Sequence, residues 1–135
     1  MEGSFKAQYD QVETLASAFP DNSTLIEQTY KDLVLNKLWK TVNVVPVESL
    51  NTCILHAHEP GTPISDRLVI VPLRYDQVLS MDKINETFRM LDKEQISNEL
   101  ESLTCLKKIT FAIVASDATM LYYHIARGLV PPKEH

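Results

Sequence analysis

The sequence predicts an α/β or α+β domain built on one mixed sheet, on the strength of three observations. Apolar side chains recur at helical steps over the first forty residues. They then recur in β-branched, strand-like runs as far as Leu73. A helical segment finally separates these runs from two more apolar runs near the end, an order that suits helices packed on a single sheet. With 135 residues the chain is long enough for one hydrophobic core and short for two.

Phe5, Tyr9, Val12, Ala16 and Phe19 follow steps of four and three, the stripe of a first helix, which Pro20 and Asp21-Asn22-Ser23 then break. Thr24 and Glu27 have the spacing of a capping box, whose side-chain oxygens satisfy free amides at a helix start. The second helix presents Ile26, Tyr30, Leu33, Val34 and Leu38 on one side and ends near Lys40. Residues 41–47 (TVNVVPV) and 49–57 (SLNTCILHA) are predicted strands. Pro46 cannot donate to a ladder, so the first strand belongs at an edge or carries a bulge. Glu59-Pro60-Gly61-Thr62-Pro63 is the clearest loop, and residues 67–73 (RLVIVPL) make a third strand. Ser80 or Asp82 opens a helix with Ile84, Phe88 and Leu91 on one face, and Ile96, Leu100 and Leu103 extend it or form another. Residues 109–115 are apolar on both faces, as an interior strand requires. The polar tetrapeptide Ser116-Asp117-Ala118-Thr119 leads into a last strand over 120–125, and Gly128 with Pro131-Pro132 marks a tail. The expected organisation is a helix and linker over 1–22 followed by one domain over 23–135.

Composition is ordinary for a globular chain, 44% hydrophobic and 23% charged. A net charge of −5 and a pI of about 5.3 do not favour nucleic-acid binding, which relies on clustered Lys and Arg. The basic residues here come in ones and twos, such as Lys37 and Lys40, or Lys107 and Lys108. Cys53 and Cys105 lie in apolar runs without metal or redox spacing, and read as buried free thiols. The start, MEGSFKAQYDQVE, has no apolar signal core and no run approaches spanning length, so cytosol or nucleus is expected.

His56 and His58 would share one face of a strand, which suits joint metal ligation. Glu59 would point the other way, and spacing supplies no third ligand, so two half-exposed histidines are the stronger reading. Asp21, Asp32, Asp66, Asp76 and Asp82 are dispersed and read as solvated caps. Three glycines cannot build a phosphate-cradling loop, and no nucleophile elbow is present. Tyr122 and Tyr123 must face opposite sides of a strand, one ring toward the core and the other at a surface or interface.

Residues 111–132, FAIVASDATMLYYHIARGLVPP, resemble the tail of the tRNA-splicing endonuclease family, the tRNA-intron endonucleases. Its members end in an apolar strand, an acidic turn, a strand with paired tyrosines, then Gly and Pro. Leu38-Trp39-Lys40-Thr41-Val42-Asn43 and the segment 69–91 extend the likeness over most of 23–132, and it is greatest with the family's small non-catalytic subunits. The resemblance implies a single endonuclease-like α/β domain, a restriction-endonuclease-like mixed sheet flanked by helices. Active members cleave the pre-tRNA backbone through the neighbouring ribose 2′-hydroxyl without metal, using a Tyr, a His and a Lys as base, acid and cation. This chain has no tyrosine between Tyr30 and Tyr75, carries Ile64 near the expected His, and matches only the Lys, through Lys107 and Lys108. What is implied is a non-catalytic structural subunit that needs no cofactor.

The implied partners are catalytic subunit thirty-four, held directly, with catalytic subunit two and structural subunit fifty-four completing a heterotetramer that takes pre-tRNA. No membrane insertion is implied. In the family an acidic turn enters a basic pocket on a catalytic subunit, and the last strands pair across subunits. The matching positions are Ser116, Asp117 and Thr119 in the turn, with Leu121, Tyr123, Leu129 and Val130 as the apolar edge and tail. Lys107 and Lys108 are the candidates for a direct RNA contact. The expected location is the nucleus, or the cytosolic face of the mitochondrial outer membrane through the complex. Self-association into a homodimer is left open, as are two other readings: a small α/β adaptor or dimerisation module, and a metal-dependent hydrolase using His56 and His58.

Overall fold

The computed structural model describes residues 2–39, 41–61, 67–74, 80–94, 108–115, 117 and 119–126. In chain order these form α1 (Glu2–Ala16), α2 (Ser23–Lys31) running on into a π-helical turn (Asp32–Asn36), β1 (Thr41–Val47), a 3-10 turn (Glu48–Leu50) and β2 (Thr52–His58). They continue as β3 (Leu68–Arg74), α3 (Met81–Lys93), β4 (Lys108–Val114) and β5 (Met120–Ala126). The five strands make one sheet in sequential order, with β3 and β4 parallel and the other neighbours antiparallel. Parallel neighbours need a long crossover, and α3 lies on it. This is the mixed α/β sheet predicted from the element order.

Strand alternation divides the core between the two faces. Cys53, Leu55, Ala57, Leu68, Ile70 and Ala112 pack with Val12, Ala16 and Phe19 and with Ile26, Tyr30 and Leu33 of α2 and its π turn. Ile54, Val69, Val71, Leu73, Ile109 and Phe111 pack on the other face with Phe88 and Leu91 of α3. Val12, Ala16 and Phe19, then Ile26, Tyr30 and Leu33, then Phe88 and Leu91 are thus the buried members of the three predicted stripes, with Tyr9, Val34 and Ile84 half-buried beside them. The Phe5 side chain and residues 96, 100 and 103 lie outside what the structure describes.

Several expectations are corrected. Asn22, not Thr24, precedes the second helix, and its side-chain amide donates to the Asn51 carbonyl at 2.7 Å. The Glu27 carboxylate accepts from the Tyr9 hydroxyl at 3.1 Å, so the helix-to-helix bond displaces the capping box. The helix stops at Asn36 and Leu38 takes a left-handed backbone, φ 60°, leaving its side chain 68% exposed instead of on the apolar side. Ser49 and Leu50 belong to the 3-10 turn, and Asn51 (φ 56°) reverses the chain into β2, a break hidden by the apolar letters around it. Pro46 does sit on the terminal strand β1, opposite Cys53. Pro72 lies inside β3 opposite Ala112, beyond the last β2 partner, where only one side of the strand is paired.

Candidate functional site on the closing hairpin

The β4–β5 hairpin is paired from Lys108 opposite Ala126 to Val114 opposite Met120. Its turn closes with the Ala115 amide donating to the Thr119 carbonyl at 2.8 Å. The Thr119 amide in turn donates to Asp117 Oδ1 at 3.0 Å, a local bond typical of aspartates in turns. Hydrogen bonds from Thr119, first its side chain and then its backbone, hold the exposed Asp117 carboxyl below the usual carboxylate range. The tip therefore presents a full negative charge at neutral pH.

Beyond the turn, β5 sorts its side chains by parity. Met120 and Tyr122 pack on the α1–α2 side. Leu121 and Tyr123 take the opposite face, beside Ile113 and Phe111, and remain 41% and 50% exposed. The paired tyrosines thus divide as alternation requires, with Tyr122 inward and Tyr123 outward. Among the described residues β5 is a terminal strand, and its outer edge pairs with no other described strand. The other terminal strand, β1, carries Pro46, whereas the seven residues of β5 include no proline or formal charge to blunt the edge.

Tyr122 fastens this edge strand to the helical layer. Its hydroxyl donates to Asp32 Oδ2 at 2.6 Å, while Asn36 Nδ2 donates to Asp32 Oδ1 at 2.9 Å. Lys37 Nζ lies 5.0 Å from the centre of the Tyr122 ring, within cation–π range. Burial, and then the Asp32 carboxylate, push the Tyr122 phenol far above its ordinary value, so it remains a donor. Asp32 is accordingly a structural acceptor, correcting its reading as a solvated cap. Lower on the hairpin, Thr110 Oγ1 and His124 Nδ1 share a hydrogen bond of 2.8 Å.

The structure therefore unites Asp117, Thr119, Leu121 and Tyr123 on one hairpin. Lys108, half-buried, stands at the end away from the turn. Ser116, Lys107, Leu129, Val130 and Ile64 fall outside the described residues. His56 and His58 share a face of β2 with Ile54, and both are half-buried. No group of three or more His, Cys, Asp or Glu able to hold a metal forms among the described residues. Sequence reasoning missed Asp32, Asn36 and Lys37. The four-residue step from Asp32 to Asn36 signals a shared helix face, but nothing local points ninety positions ahead to Tyr122.

The family model described as Sen15 protein matches residues 28–135, from within α2 through all five strands. The chain is 32% identical over 104 residues to the mouse tRNA-splicing endonuclease subunit Sen15, covering 76% of this chain and 57% of that one. It is 30% identical over 104 residues to the human protein of the same description, covering 76% and 56%. It thus spans a little over half the length of these curated relatives. With most of its length matched, closing hairpin included, the chain belongs to the Sen15 protein family.

Proposed function

We propose that this chain is a non-catalytic structural subunit of a tRNA-splicing endonuclease, the complex that cleaves pre-tRNA at intron boundaries. It attaches to a catalytic subunit through its closing hairpin. The observation that carries this reading is the β5 edge, unpaired among the described residues, which shows Leu121 and Tyr123 to solvent behind a turn tipped by ionised Asp117. An apolar, uncharged edge strand is a liability until another strand covers it. The relatives' description as subunits of that endonuclease supports the same reading. The sequence supports a non-catalytic role, because no tyrosine lies between Tyr30 and Tyr75 and Ile64 stands near the family's histidine. A lone cation such as Lys108 binds phosphate and moves no proton.

In this account catalytic subunit thirty-four is the direct partner, subunits two and fifty-four complete a nuclear heterotetramer, and the tail residues Leu129 and Val130 extend the apolar contact. The turn enters a basic pocket, so Asp117→Lys should weaken co-purification with the catalytic subunit while the domain stays folded. Unchanged recovery across a salt series would remove the turn from the interface. Lys107 and Lys108 add a phosphate contact in the assembled complex. Replacing both with Ala should lower the slope of log affinity for pre-tRNA against log salt by about one to two, and an unchanged slope would exclude them.

A further inference from the structure

β1 closes the other end of the described sheet, and its outer edge pairs with no other described strand. Between this edge and α1 lies a cavity of about 310 Å³, at the lower end of the size range of ligand pockets. Gln8, Gln11 and Leu15 of α1 border it on one side, and the four successive residues 41–44 on the other. Successive side chains of a strand take opposite faces, so four in a row border one cavity only where it reaches round the strand's edge to the main chain. Pro46, two positions further on, cannot donate and limits the usable edge on that side.

The groove is neutral: no Lys, Arg, Asp or Glu borders it among the described residues. Leu15, Val42 and Val44, all half-buried against the core of this face, give it an apolar floor. Gln8 Oε1 accepts from the Tyr30 hydroxyl at 3.3 Å, which leaves its Nε2 to donate. Gln11 is exposed and makes no side-chain hydrogen bond among the described residues, so its amide offers both a donor and an acceptor. A peptide group offers the same pair. A phosphate backbone would meet no cation here. An extended polypeptide meets main-chain partners on β1, side-chain amides on α1 and an apolar floor under alternate residues.

We propose that this groove is a second attachment site, which takes an extended, uncharged segment of another endonuclease subunit as a strand added along residues 41–44. The proposal rests on reading the chain as a subunit of that complex. The segment differs from whatever covers β5, because four strand spacings, about 19 Å, separate the two edges. A second copy of this chain fits poorly. Antiparallel pairing of two β1 edges sets a two-fold axis perpendicular to the sheet, which keeps both α1 helices on one face beside one junction. The groove has room for a stretch of chain and not for another helix about 10 Å across.

The test measures amide hydrogen exchange over residues 41–45 in the full chain alone and in the assembled endonuclease. The fast-exchanging amides of that stretch should slow by about tenfold or more on assembly. Gln11→Trp, which fills the groove from an exposed helix position, should abolish this protection and leave Leu121-dependent binding of the catalytic subunit intact. Gln11→Glu, which sets a carboxylate against a neutral segment, should restore part of the exchange, and it decides the matter if the tryptophan variant fails to fold. Unchanged exchange over 41–45 in an assembly that cleaves pre-tRNA overturns the second site and keeps the chain as a subunit. Failure of the wild type to join the endonuclease overturns both. Slow exchange in the chain alone also overturns the proposal: the groove is then filled by a second copy if the slowing grows with concentration, and by this chain itself if it does not.

Discussion

Tyr122 and Tyr123 are neighbours in sequence with opposite duties, and strand parity alone foretold that they would part. Tyr122 gives its hydroxyl to Asp32 at 2.6 Å, while Tyr123 stays half exposed. Tyr122→Phe removes the donor and leaves a carboxylate oxygen in a half-buried place, which should cost about 1–2 kcal/mol of unfolding free energy in urea. No loss would mean that water replaces the hydroxyl without penalty. Cys53 is equally plain: an apolar run foretold a buried thiol, and the structure buries it with Sγ 3.8 Å from the Leu15 carbonyl. Burial pushes the thiol up to about 11, so its contribution to stability is intact below the ordinary thiol value of 9.0 and is lost as pH rises through about 11. At pH 8 iodoacetamide should modify Cys53 only as fast as the protein opens, and rapid alkylation of the native chain would contradict the burial. Asp32 was not legible, because its partner is ninety positions away and chemistry at that separation is decided by topology.

Among the elements, the strands and helices that bury a whole stripe were legible nearly to the residue. Periodicity reports burial, and it is sharpest where β2, β3, α3 and β4 place fully buried residues, while β1, apart from Val47, and β5 pack only half-buried faces. What escaped were the joints. The π-helical turn, the 3-10 turn at Glu48–Leu50 and the left-handed residues Leu38 and Asn51 depend on backbone geometry that apolar letters do not encode. Leu38 is the sharper case, because a bulky side chain at φ 60° is strained and, at 68% exposed, gains little from packing in the isolated chain. Leu38→Gly should therefore raise stability by about 1 kcal/mol, read as a higher urea midpoint with an unchanged slope. A lower midpoint would show that the leucine packs usefully despite its exposure.

For the molecule as a whole, the order of elements foretold one mixed sheet, and the parallel step between β3 and β4 accounts for the intervening helix. The sequence pattern alone did not reveal that sequential strand order leaves β5 at an edge, nor that α1 covers the face to which Tyr122 is fastened. Both follow from three-dimensional closure. Together they leave β5 at an edge of the described sheet, which is what the proposed attachment role requires. The most direct measurement incubates the purified chain with an intron-bearing pre-tRNA, alone and after assembly with the catalytic subunit. The account predicts no cleavage by the isolated chain and cleavage by the assembly, with Tyr123→Asp preventing both assembly and cutting. Sustained cleavage by the isolated chain, or full assembly of the Tyr123→Asp variant, would contradict it.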